Sequence, residues 1–166
     1  MTSKNTGPGP RKDRRARFVQ EKRHDPYMRR RKAPGAFVCD RCGVVHHGGR
    51  WRWCAPPPAE VHGGLCPACE RIRDDYPAGT IHVAERLCAG RDELLNLVRN
   101  SERLEREEHP LERLMGVESD EEGLFVTTTG IHLARRIASQ LERALGEKPQ
   151  IRYPDGEHHV VVEWKP

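Results

Sequence analysis

Residues 39–69 read CDRCGVVHHGGRWRWCAPPPAEVHGGLCPAC, and this stretch decides how the first half of the chain folds. It begins and ends with a C-x-x-C pair, and 23 residues separate the two pairs. Such a pair presents two thiolates from a tight turn, and a second pair completes a tetrahedron around one ion. Gly43 follows the first pair, where the turn favours a residue that tolerates positive φ. The spacing predicts one Zn²⁺ ion bound by Cys39, Cys42, Cys66 and Cys69.

The predicted shell of four thiolates leaves no position for water or a substrate. We therefore expect the zinc to be structural and to hold together a segment too small to fold alone. Cys88 has no C-x-x-C partner and is expected to be a small buried residue. Four other side chains inside or near the stretch remain alternative ligands, and these are Cys54, His46, His47 and His62.

The six cysteines could instead form disulfides in an exported protein. The basic N-terminus is not followed by the apolar segment of a secretory signal, and no apolar run approaches the roughly 18 residues of a membrane-spanning helix. We therefore expect a protein of the reducing cytoplasm with no membrane association, where paired cysteines bind metal.

Residues 1–35 form a strongly basic arm. They contain twelve Lys or Arg and three acidic residues, a net charge of +9, whereas the rest of the chain sums to −5. This composition predicts disorder, because it buries too little apolar surface to offset the entropy of ordering. Arginine-rich segments follow nucleic-acid phosphates, and RNA is favoured over DNA because such arms commonly fold on structured RNA. A solubilising tail or an anionic membrane remains the alternative. The candidate phosphate contacts are Arg11, Lys12, Arg14, Arg15, Arg17, Arg29, Arg30, Arg31 and Lys32.

The alternating residues 50–53, RWRW, predict a strand with both indoles on one face and both guanidiniums on the other. At least one tryptophan is expected to pack over the zinc. In the alternative, one indole is exposed and stacks on nucleic-acid bases. Arg50 and Arg52 are predicted nucleic-acid contacts. Arg135 and Arg136, on the polar side of a later helix, extend that surface or are simply solvated.

The remaining pattern predicts an α+β protein in four parts. A disordered arm (1–35) precedes a small zinc-ribbon-like module (36–76). A connector (77–110) contains a short strand at 81–83 and an amphipathic helix at 92–108. Residues 111–166 then form a ββαββ domain, an antiparallel sheet with one covering helix that runs to about residue 145 and has Thr129 as its N-cap.

No catalytic motif is visible. The sequence lacks a glycine-rich phosphate loop, a nucleophile elbow, an H-E-x-x-H motif and the H-x-E half of a deaminase signature. We therefore expect neither an enzyme nor a small-molecule substrate. The predicted function is a non-enzymatic, zinc-containing RNA-binding protein. A protein-interaction adaptor with a structural zinc, or a DNA-binding regulator, remains the alternative.

Two motifs together resemble a known family. They are C-x-x-C-G with a second C-x-x-C downstream, and residues 123–137, GLFVTTTGIHLARRI. They resemble the ribosomal large-subunit export-adaptor family of archaea and eukaryotes, which was named for nonsense-mediated decay, and in particular its small bacterial zinc-binding relatives. The resemblance spans residues 36–164, more loosely at 75–110. It implies that the four cysteines form a zinc module and that the ββαββ domain sits on ribosomal RNA or the ribosome. Larger members carry more C-x-x-C pairs and further domains, so the export role is not carried over.

Overall fold

The computed structural model describes residues 25–28, 35–58, 60–154 and 158–165. The nine predicted phosphate contacts of the arm lie outside these residues. Asp25–Met28 belongs to the arm predicted to be disordered, yet it forms a turn, and the Asp25 carboxylate accepts a hydrogen bond from the side chain of Arg71.

A small four-stranded sheet and one helix form the first unit. The strands run in the order β3-β2-β1-β4, and only β1 and β4 pair in parallel. Gly48 and Gly49 both have positive φ, 59° and 77°, which is the conformation that a two-residue hairpin between β2 and β3 requires. The elements are β1 (Ala36–Val38), β2 (Val45–His47), β3 (Arg50–Arg52), β4 (Val61–His62) and helix α1 (Pro67–Asp74).

A five-stranded sheet covered on one face by two helices forms the rest. The strand order is β6-β7-β5-β9-β8, with β5 antiparallel to β7 and parallel to β9. A 3-10 helix (Glu85–Gly90) joins β5 to α2. The other elements are β5 (Gly79–Ala84), α2 (Arg91–Glu108), β6 (Leu114–Ser119), β7 (Gly123–Thr128), α3 (Ile131–Leu145), β8 (Gln150–Arg152) and β9 (Val160–Trp164).

The α+β class, helix α3 and its two flanking hairpins are confirmed. The sheet is mixed, however, and the predicted antiparallel arrangement of ββαββ is wrong. The two hairpins do not pair with each other, because β5 lies between them and binds β7 on one side and β9 on the other. The strand predicted inside the connector is therefore the centre of the sheet. Its position follows from pairing with strands about 45 and 80 residues away, which local periodicity does not report.

One apolar core fills the space between this sheet and the helices. Helix α3 contributes a stripe at helical spacing, α2 adds Leu94 and Val98, and alternate strand residues point into the same layer. The fully buried residues of this layer include Ile81, Val83, Leu124, Val126, Leu133, Ile137, Leu141, Val160, Val162 and Trp164.

The start of α3 differs from the prediction. Gly130, and not Thr129, occupies the N-cap position, and it provides no side-chain cap. The Thr129 hydroxyl instead donates to the Leu111 carbonyl and accepts from the Arg113 N–H. The Glu112 carboxylate takes over the capping role, because its Oε2 accepts a 2.8 Å hydrogen bond from the N–H of Leu133. A side chain from outside the helix thus satisfies an N–H of its first turn.

Candidate metal centre

The structure brings the four predicted ligands together in one cysteine cluster, Cys39, Cys42, Cys66 and Cys69. All four Sγ atoms lie within 4.8 Å of one another. With Zn–S bonds of about 2.3 Å, a regular tetrahedron has S···S edges of about 3.8 Å. The Sγ atoms of Cys42 and Cys66 are 3.8 Å apart. The four cysteines therefore lie close enough to hold a metal ion.

The backbone presents the sulfurs from two different local structures. The first pair lies on a turn closed by the N–H of Gly43, which donates to the Cys39 carbonyl at 2.8 Å, and Gly43 has a φ of 75°. The second pair begins helix α1, where Cys66 is the N-cap and its Sγ accepts from the Cys69 N–H at 3.4 Å. The Cys66 N–H in turn donates to Cys39 Sγ at 3.3 Å. Backbone amides thus point at the sulfurs, as negative thiolates require.

Burial and hydrogen bonding act in opposite directions on the thiols. Burial raises the pKa of Cys39, but hydrogen bonds from the backbone of Cys66, Cys42 and Arg41 outweigh it and bring the pKa to about 6. Burial raises the pKa of Cys66 and of Cys69 above its ordinary value. A coordinated metal cation is the chemistry that keeps such buried thiols ionised, so this donor set fits a metal ion.

Arg113 completes the surroundings of the cluster, and the sequence analysis did not identify it. Its side chain is buried, and its guanidinium donates to Sγ of Cys42 at 3.1 Å and of Cys69 at 3.4 Å. Its Nε is fixed by the carbonyl of Pro110 at 2.7 Å. Four thiolates around a divalent ion carry a net charge of −2, so this cation offsets half of the excess. No local motif marks the residue, since it follows Cys69 by 44 positions.

The two tryptophans of the 50–53 stretch have different surroundings. Trp51 packs against the cysteine cluster and meets Phe37 edge-on at 5.7 Å, which confirms the packing role expected for at least one of them. Trp53 is partly exposed, but its Nε1 donates to the Arg106 carbonyl at 2.7 Å. Its ring centre lies 5.3 Å from the guanidinium carbon of Arg106 and 5.5 Å from that of Arg113. Trp53 thus joins the metal-binding module to α2.

The arginines predicted to contact nucleic acid have different surroundings in the structure. The side chains of Arg50 and Arg52 are exposed and form no hydrogen bond or ion pair with the described residues, and they line a cleft of about 670 Å³ beside the cysteine cluster. Arg135 is also exposed. Arg136 is engaged by Glu105 at 2.6 Å. The alternative ligands do not belong to the cysteine cluster, and these are Cys54, His46, His47 and His62.

The turn Asp25–Met28 is anchored on α1 by Arg71, a second residue that the sequence analysis did not identify. Arg71 is buried and donates to the Asp25 carboxylate at 2.8 Å. Its guanidinium carbon lies 4.5 Å from the ring centre of Tyr27, which stacks on Tyr76 at 5.9 Å. Because Cys66 caps α1 and Cys69 lies in its first turn, the root of the basic arm is packed on the helix that carries two cysteines of the cluster.

Comparison with protein-family models, with curated proteins and with solved structures finds no match. The resemblance to the export-adaptor family therefore stays a prediction. Within the described residues, no helix is both long enough and apolar enough to cross a membrane.

Proposed function

We propose that the cysteine cluster binds one Zn²⁺ ion and that the ion is structural. The close approach of the four sulfurs, the amides that point at them and the buried cation Arg113 support this assignment. The strands of the first unit contain two or three residues each. A unit this small buries little apolar surface, so we expect a metal crosslink to contribute to its stability.

Metal analysis of the purified protein tests the zinc. The native chain is expected to hold about one equivalent, and the double variant Cys39→Ser, Cys66→Ser to lose it, since two of four ligands are gone. Cys54→Ser is the matched control, because Cys54 is exposed and outside the cluster, and it is expected to retain the ion. Metal retained by the double variant, or a different metal in the native protein, would contradict the assignment.

We propose further that the protein is a non-enzymatic, cytoplasmic RNA-binding protein whose target is ribosomal RNA or the ribosome. The observation that carries this proposal is the pair Arg50 and Arg52, whose guanidiniums have no partner in the described part of the chain and lie beside the cysteine cluster. Met28 lines the same cleft, and the cation run 29–32 follows it directly in sequence. Fixed and arm-borne cations can therefore contact one phosphate chain.

Ribosome co-sedimentation over a range of salt concentrations tests RNA binding. A chain that lacks residues 1–24 loses eight cations and two acids but keeps the anchored turn Asp25–Met28. Its binding is expected to be weaker and less dependent on salt, because fewer counterions are released from the RNA. The pair Arg50→Ala, Arg52→Ala is expected to act in the same direction. Binding that neither salt nor these changes affect would contradict the proposal.

A further inference from the structure

The cleft beside the cysteine cluster is lined by side chains of both charges. Strand β3 contributes Arg50 and Arg52, whereas the end of α2 and the segment after it contribute three carboxylates. Its volume of about 670 Å³ lies within the range of small-ligand sites, about 300–1,000 Å³. The apolar part of its lining comes from Met28, Trp51, Pro110 and Leu111, and the carboxylates are Glu105, Glu108 and Glu112.

Two of the three carboxylates are already engaged. Glu105 is paired with Arg136 at 2.6 Å and lies 3.6 Å from the His109 ring. Glu112 accepts from the N–H of Leu133. The Glu108 side chain is exposed and has no hydrogen bond or ion pair with the described residues. The charged groups of the cleft that are open to a ligand are therefore two guanidiniums and one carboxylate, and the lining also includes Trp51 and the imidazoles of His109 and His132.

We propose that this cleft binds one nucleotide of single-stranded RNA and prefers a base that carries an exocyclic amino group. The inference rests on the proposed RNA binding and names its recognition site. Arg50 and Arg52 take the phosphate, since guanidinium and phosphate match as bidentate partners. The Trp51 ring supplies apolar contact to the base. Glu108 accepts a hydrogen bond from the amino group, as carboxylates do from N4 of cytosine.

The Glu108 carboxylate of the cleft favours a nucleotide over a simple polyanion. An acidic peptide would satisfy the two arginines but would be repelled by Glu108. A nucleotide carries its negative charge at one end and hydrogen-bond donors at the other, with a flat apolar ring between them. The cleft offers a partner for each of these groups, namely the two arginines, the Glu108 carboxylate and the apolar lining.

Cytosine and uracil form a matched pair for the test, because they differ at position 4, where cytosine has an amino donor and uracil a carbonyl acceptor. Fluorescently labelled hexamers of cytidine and uridine are titrated with the full-length, metal-loaded protein. The cytidine hexamer is expected to bind roughly fivefold more tightly, at the low end for one base contact because Glu108 is exposed. Glu108→Gln is expected to remove this preference, since an amide can also donate to uracil.

The controls separate the cleft from the rest of the surface. Glu107→Gln neutralises the neighbouring residue, which pairs with Arg103 and does not line the cleft, and is expected to keep the preference. Arg50→Ala with Arg52→Ala is expected to weaken both hexamers alike. Equal binding of both hexamers, or a preference that survives Glu108→Gln, overturns the inference and leaves RNA binding standing. If neither hexamer nor the ribosome binds, the proposed function itself fails.

Discussion

Replacement of Arg113 by methionine tests whether this buried cation holds the metal centre together. The change removes the hydrogen bonds to Sγ of Cys42 and Cys69, at 3.1 and 3.4 Å, while it keeps an apolar side chain of similar length in the cavity. It also removes the positive charge that offsets one of two excess negative charges in a four-thiolate zinc site.

The magnitude follows from these contacts. A hydrogen bond to a charged partner contributes about 1.5–3 kcal/mol, and the sulfurs keep the backbone donors at Cys66 and Cys69. Loss of an outer partner in metal sites lowers affinity about 10–100-fold, which corresponds to about 1.4–2.8 kcal/mol. We therefore expect Arg113→Met to weaken Zn²⁺ binding by about one to two orders of magnitude. Arg113→Lys keeps the positive charge but lacks the planar guanidinium. Its zinc affinity is expected to lie between those of the native chain and Arg113→Met.

The assay is competition for Zn²⁺ against a chromophoric chelator, with Co²⁺ substitution to verify thiolate ligation by its absorption. Arg106→Met is the matched control, because Arg106 also stacks on Trp53 but no hydrogen bond joins it to the cysteine cluster. It is expected to bind zinc as tightly as the native chain. If Arg113→Met does so as well, with an unchanged cobalt spectrum, the reasoning about charge compensation is refuted.

Three further changes have expected outcomes in unfolding or binding experiments. Glu112→Ala removes the acceptor for the Leu133 N–H and is expected to lower the free energy of unfolding in urea by about 1 kcal/mol. Glu112→Gln keeps an acceptor and is expected to keep most of the stability. Equal losses in the two variants would contradict the capping role. Gly79→Ala places a methyl group against Ala134 and 2.5 Å from Thr128 Oγ1, so it is expected to destabilise by about 1–3 kcal/mol, and a stability equal to native would refute the close packing. Chelation of the metal is expected to make residues 36–76 sensitive to proteolysis, while the five-stranded sheet stays protected. The cleavage sites are identified by mass spectrometry. Simultaneous cleavage of both units would count against a metal-dependent module.

Burial raises the pKa of Glu112, although the hydrogen bond from Leu133 acts in the opposite direction. The folded chain therefore holds this proton more tightly than the unfolded chain, whose reference pKa is 4.5. Protonation of Glu112 therefore stabilises the folded chain below pH 4.5. This stabilisation is lost as the pH rises through the pKa that Glu112 has in the folded chain. Glu112→Gln cannot titrate, so its stability relative to native is expected to increase over this pH interval. A pH-independent difference between the two proteins in urea unfolding would show that the shift is absent.

The sequence predicted what local spacing encodes. Two C-x-x-C pairs identify four ligands because three residues of separation place both sulfurs on one turn, and the 3.6-residue period of α3 identifies its buried stripe. The central position of β5 and the role of Arg113 were not predicted, because each depends on partners dozens of residues away. Glu112 belongs to the same class, since its hydrogen bond to α3 reaches 21 residues along the chain.

Three contacts connect the cysteine cluster and its surrounding elements to other parts of the described chain. Arg113 links the sulfurs to the start of β6, Trp53 links the module to α2, and Arg71 on α1 holds the root of the arm. If the cluster binds a metal ion, its loss is expected to weaken all three contacts, because Cys66 caps α1 and β3 has only three residues. Metal loading should therefore change the geometry of the cleft and of the arm together. RNA affinity measured before and after chelation then reports a coupling between the two sites, which is expected to be positive, since a bound ion would stabilise the strand that places Arg50 and Arg52 in the same cleft as Met28.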